Sequence, residues 1–402
     1  MVSYEGSNDR HPIADDTTFM LLADHGHLGG REFGKKPQNV SPLINKRWEV
    51  GPFLNELLTT NVLVPVWDLY KTEDNYFFKN AGAPETSIVA VDQEAYGVAK
   101  VYLPYKSVDS NDWTHRNTYN DLRNYLPSSF KDVTNTKPLD LISVLLNGVR
   151  QDTERNVIDD GSEPVDLIIM PRWDITRVPE ICNAEPAQVL TIFRLFRETS
   201  SEGMTRVLES DITYCTDSEI AYYDKMVAAS RDVRSDYSPV ETSEDVLNWR
   251  SSGKFPEGWF AKGHTLDEWF KYSIDTQYPD AIRAFIRNSF NREISHNPLE
   301  REKRYGADLI LTAREGWDFR TEKILSTGHG YPLKGSMQIP LAFYNPKKTT
   351  GHAMKISRPV RVTDIIPTLI PLLGLKASGF ADEWFDGKVL TEISNRVNDF
   401  SN

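Results

Sequence analysis

An apolar, β-prone run, Thr17-Thr18-Phe19-Met20-Leu21-Leu22, ends in Ala23-Asp24-His25-Gly26. A carboxylate and an imidazole on adjacent residues are both good ligands for a divalent metal such as zinc. In α/β sheets, ligands collect at the carboxyl ends of strands, and this pair follows directly on one. The glycine after them permits a tight exit. A second set lies far downstream: Ser326-Thr327-Gly328-His329-Gly330-Tyr331, an imidazole between two glycines. Taken singly, each set also fits an ordinary turn whose polar groups are satisfied locally. Other candidates carry less. His27 suits a supporting or surface role. His115, within Asp112-Trp113-Thr114-His115-Arg116, and His352, near Lys347, Lys348 and Lys355, read as solvated loop residues. Trp259 and Trp317 read as packing residues.

The elements that must position these groups alternate in type. Buried-type strands are expected at Thr17–Leu22, 165–170, 307–312 and 338–343, with further strands at 87–92 and 98–103. Weak helical periodicity runs from Trp48 to Asn61. Helices are expected at 119–125, 139–149, 187–197, 279–289 and 363–373. Strands alternating with helices argue for an α/β sandwich. Residues 199–265 turn polar and acidic and read as part of an insertion. The expected organisation is a core α/β part over 1–174, an insertion or accessory lobe over 175–300, and the C-terminal part of the core over 301–402.

The chain has 402 residues, with 46 Lys and Arg against 58 Asp and Glu, a formal charge of −12. Nucleic-acid duplex binding is excluded as an expectation, because no basic excess exists to release phosphate counterions. Small phosphorylated substrates stay open, because bound cations invert a local field. No apolar run is long enough to span a membrane. The first residues lack the apolar stretch of a signal peptide, which leans to the cytoplasm and leaves the compartment open. Two cysteines, Cys182 and Cys215, exclude a disulfide scaffold. Two separate core thiols are expected, with a single bridge as the alternative.

Four stretches, in order, resemble the alkaline phosphatase superfamily, most closely its type I phosphodiesterase and nucleotide pyrophosphatase branch. They are TTFMLLADHGHLGG at 17–30, YGADLILTAREGWDF at 305–319, STGHGYPLKGSMQIPLAFYNP at 326–346 and PVRVTDIIPTLIPLLGLK at 359–376. The resemblance implies an alkaline-phosphatase-like α/β sandwich core, incomplete at its N-terminus and carrying a large insertion. It implies two divalent metal ions, most simply zinc, with Asp24 and His25 on one and His329 on the other. It implies a small phosphorylated substrate. Arg314, Tyr331 and Lys334 lie near the strand ends flanking His329 and are candidate substrate contacts by that position. Asp364 and Thr368 fall on the closing helix as a cap and a packing residue. The family's Ser or Thr nucleophile and its Asp-x-x-x-His pair match nothing before Asp24, so both are expected upstream of this sequence. A non-catalytic binding or scaffold protein on the same core is the alternative. Cys182-Asn183-Ala184-Glu185-Pro186 lacks the context of a sulfatase cysteine.

Overall fold

The computed structural model describes residues 17–24, 26, 28–29, 46–47, 50, 53, 66–68, 89–95, 97–103, 117–125, 138, 140–155, 164–172, 182, 187–197, 205–215, 255–259, 262–290, 307–319, 327–344, 355–373, 375 and 387–393. They fall in two compact units, one of residues 1–24 with 339–402, the other of 25–338.

The larger unit is built on a seven-stranded sheet. Its strands are β4 (Val66–Asp68), β5 (Val89–Ala95), β6 (Val98–Tyr102), β7 (Val165–Pro171), β8 (Ala187–Arg197), β9 (Thr205–Cys215) and β10 (Leu309–Ala313). Their spatial order is β4-β5-β6-β10-β7-β8-β9. Only β4 and β5 run parallel; every other neighbouring pair is antiparallel. Mixed helix and strand content agrees with the α/β expectation.

β7 and β10 are buried along their whole length, as the mainly apolar character of both, broken only by Asp166 and Thr312, requires of central strands. Helix α1 (Tyr119–Arg123) starts at Thr118, whose hydroxyl accepts from Asp121 N while Asp121 accepts from Thr118 N, a reciprocal cap. The same arrangement, Thr265 with Glu268, starts α3 (Leu266–Ser273). Helices α2 (Leu141–Arg155) and α4 (Ala281–Phe290) complete the described longer helices of this unit, and α4 packs on β7 and β10.

Residues 187–197 are a strand, which corrects the helix expected there. Val189, Leu190, Thr191, Ile192 and Phe193 are consecutive and all buried. An amphipathic helix buries one stripe and cannot hide five residues in a row. A strand in a sheet covered on both faces buries successive residues, and β8 lies inside the sheet, paired with β7 on one side and β9 on the other. Residues 187–197 and 205–215, inside the stretch read as an insertion, thus extend the main sheet by two strands. The separate-thiol expectation is corrected as well. Cys182 and Cys215 form a disulfide, at the end of the ladder where Cys215 pairs with Ala187.

Beside this bridge, His264 closes an aromatic cluster. Its ring stacks on Trp259, centroids 3.4 Å apart, and meets Trp269 edge-on. Trp259 is a core residue, as expected. His264 Nε2 lies 2.6 Å from the Trp259 carbonyl, so this nitrogen is assigned the proton and donates it. Burial disfavours the imidazolium and lowers the pKa, outweighing the carbonyl contact and Glu268, which raise it. The unfolded chain therefore takes up this proton first as pH falls. Stability should drop as pH passes below about 6.5, the ordinary histidine value, and level off below the folded-state pKa. Denaturant titrations between about pH 5 and 8 check this. His264→Gln should flatten part of the decline; an unchanged pH profile would contradict the assignment.

The smaller unit contains β1 (Phe19–Leu22) paired antiparallel with β13 (Leu341–Tyr344), in register Phe19 with Tyr344 and Leu22 with Leu341. A 3₁₀ turn, Val362–Asp364, leads into α6 (Ile365–Leu372). The buried Asp364 carboxylate accepts from Arg361 N and Lys388 N, both at 2.8 Å. It thus caps the 3₁₀ turn and anchors a later segment. Thr368 donates to Asp364 O and accepts from Leu390 N. Both residues are structural.

Candidate functional site

Short ladders tie together two of the sequence stretches singled out above. In the larger unit, β2 (Leu28–Gly29) pairs antiparallel with β12 (Thr327–Gly328), Leu28 opposite Gly328 and Gly29 opposite Thr327. Gly26 N donates to Ser336 O at 2.9 Å. A Cβ on Gly26 would lie 2.2 Å from Gly335 O and 2.9 Å from Ser336 O, so the close approach requires glycine. The chain just after Asp24-His25 is thereby held against the segment just after His329.

His329 follows β12 and is half-buried. Gly330, with φ of 79°, turns the chain in a conformation that side chains disfavour, and delivers Tyr331 inward. Tyr331 is buried, and its hydroxyl donates to Trp317 O at 2.8 Å. Trp317 is buried in β11 (Trp317–Asp318), which pairs with β3 (Lys46–Arg47). Lys334 begins the short helix α5 (Lys334–Met337) with its side chain exposed, and its backbone N donates to Gln277 O. Gln338 Nε2 reaches Ile274 O. The segment 328–338 is therefore pinned at Gly26, at Trp317 and at 274–277.

Asp24 follows β1 in the smaller unit and is exposed. His25, His27, His115 and His352 lie outside the described residues. The donor types fit a divalent cation, since carboxylate and imidazole both bind zinc. Among the described residues, no group of three or more His, Cys, Asp or Glu converges on one point.

Arg314 lies at the end of β10. Its backbone N donates to Pro164 O, its carbonyl accepts from Trp317 N, and its Nη2 stands 3.7 Å from Asp166 Oδ1. Arg194 Nε approaches the same oxygen, at 3.5 Å. The other carboxylate oxygen accepts from the Tyr278 hydroxyl. Burial, with the carboxylate beside it, pushes the Tyr278 pKa far up, so the phenol keeps its proton. Asp166, Arg194 and Tyr278 were not singled out from the sequence. The available signal was Asp166 itself, a charge inside the apolar run Val165–Met170, which has to be paired when buried.

Compared with known proteins, the chain matches no family model, no curated protein and no solved structure.

Proposed function

We propose that this chain belongs to a metal-dependent hydrolase of phosphoric esters, built on an alkaline-phosphatase-like α/β sandwich. Asp24 and His25 would hold one divalent ion and His329 a second, with zinc the best match to a set of carboxylate and imidazole donors. What carries the proposal is the pairing of the segments that follow the two motifs: Leu28-Gly29 on Thr327-Gly328, with Gly26 bonded to Ser336. Within the smaller unit, the first and third resembling stretches also pair directly, β1 on β13. Metal ions in such a site polarise a phosphoryl oxygen and lower the pKa of a bound water. The chain's own contribution is to fix the His329 loop by the ladder and the Tyr331–Trp317 bond, with the Lys334 side chain exposed later in the same segment.

Cobalt(II) titration of the chelator-stripped chain tests this, read by ligand-field absorbance. His329→Ala and Asp24→Asn should each weaken cobalt binding at least about tenfold, the scale on which a lost ligand or its support acts. Affinity unchanged in both variants would rule out these residues as ligands. If metal binds as proposed but no phosphodiester is turned over, the scaffold alternative takes precedence.

A further inference from the structure

We propose that the Cys182–Cys215 bridge is a redox-sensitive latch: it pins the end of β9, and through that end it sets how firmly the segment 262–277, and with it the His329 segment, is held. β9 is the last strand of the seven-stranded sheet, and it ends at Cys215. Ends of this kind open locally at little cost. Here the strand end also holds another part of the chain. His264 bonds to it through both backbone groups: Cys215 N donates to His264 O at 2.9 Å, and His264 N donates to Thr213 O at 3.3 Å. Trp269 Nε1 donates to the same Thr213 oxygen at 3.2 Å. Opening of Thr213–Cys215 would therefore undo all these bonds together, just before α3 and inside it. The bridge ties Cys215 to Cys182, in the connection between β7 and β8, and so holds that end closed.

The other end of α3 leads to the candidate site. The helix stops at Ser273, and the residues after it hold the segment 334–338. Ile274 O accepts from Gln338 Nε2 at 2.9 Å, and Gln277 O accepts from Lys334 N at 2.8 Å. One continuous stretch, 262–277, thus joins the bridged end of β9 to the chain that follows His329. The element with two discrete states is the bridge itself, whose sulfurs are either bonded or not. The sequence holds no third cysteine, so no other pairing competes. Cys182 is buried and Cys215 half-buried, so Cys215 Sγ is the sulfur an external thiolate reaches. A dithiol reductant attacks there: a bond forms to Cys215 Sγ, the Cys182–Cys215 bond breaks, and Cys182 leaves as a thiolate and takes up a proton. The reductant's second thiolate then displaces Cys215, which is protonated in turn. The protein gains two electrons and two protons, and the reductant becomes a disulfide. Reduction leaves the closed contacts as they are and raises the population of the opened state that the bridge restricts. That the held segment presents a metal ligand rests on the hydrolase reading; the latch does not.

The test is hydrogen exchange of the full chain, followed by mass spectrometry at several low urea concentrations. It compares the oxidised protein, the protein reduced with dithiothreitol, and the double variant Cys182→Ser with Cys215→Ser. Peptides over 262–277 and 330–338 should exchange at least about tenfold faster without the bridge, and with little dependence on urea, because a local opening exposes little surface. A bridge that only stabilises the unit as a whole would instead speed exchange through global unfolding, with the full urea dependence of that transition. That outcome, or unchanged exchange in either set of peptides, overturns the latch. Should the double variant fail to fold, the reduced protein decides. Faster, urea-insensitive exchange in a chain that binds no cobalt at His329 would sustain the latch while refuting the hydrolase reading.

Discussion

Replacing both Cys182 and Cys215 with serine is expected to destabilise the larger unit by about 3–4 kcal/mol. The bridge closes a sequence separation of 33 residues that contains all of β8 and most of β9. Cross-linking a loop of that size raises the free energy of the unfolded chain by roughly this much, because it restricts that chain's entropy. The native ladder already holds Ala187 opposite Cys215, so the bridge joins segments that the fold brings together anyway. Its effect should therefore fall on the unfolded state. Urea denaturation of the oxidised protein and of the double serine variant measures it. A difference below about 1 kcal/mol would show that the unfolded chain stays compact around β8 and β9 without the bridge.

Gly26→Ala should be the most damaging single-methyl change in the candidate site. The added carbon would sit 2.2 Å from the Gly335 carbonyl oxygen and 2.9 Å from that of Ser336. Both obstacles are backbone, so no side-chain rotation relieves the clash. The Gly26 N to Ser336 O bond must lengthen or break, and the β2–β12 ladder two residues on is strained with it. Forcing a methyl group into a filled space costs typically about 1–3 kcal/mol, and here the lost hydrogen bond adds about 1 kcal/mol. Thermal denaturation reads the stability loss. Under the hydrolase reading, the same variant should weaken cobalt binding, because the segments after the two motifs part. A variant as stable as the parent would mean that Gly26 and Ser336 do not make this contact in solution.

Much of the local structure was legible because it obeys local rules. The runs at 165–170 and 307–312 are long, apolar and punctuated, and both are strands. Asp364 was assigned to capping, and its carboxylate does accept backbone amides, although at the 3₁₀ turn that precedes the helix. The caps of α1 and α3, Thr118 with Asp121 and Thr265 with Glu268, follow the Thr-x-x-acid pattern that covalent spacing sets, but they were not singled out from the sequence. Residues 187–197 were misread for the opposite reason. A short apolar run satisfies helical and extended periodicity alike, and only its place inside the sheet, with its backbone bonded to β7 and β9, selects the extended form.

For the candidate site, the sequence by itself determined the donor types, Asp24, His25 and His329, and the glycines beside them. Tertiary structure alone decided what faces what. It set Gly26 against Ser336, turned Tyr331 inward onto Trp317, and joined Cys182 to Cys215. It also gathered Arg194, Tyr278 and Arg314 on Asp166. Nothing in the local chain encodes these meetings, because hydrogen bonds and ion pairs fall off within a few ångströms of space and take no account of distance along the sequence. They exist only once the sheet has closed the gaps between strands, with β10 lying between β6 and β7.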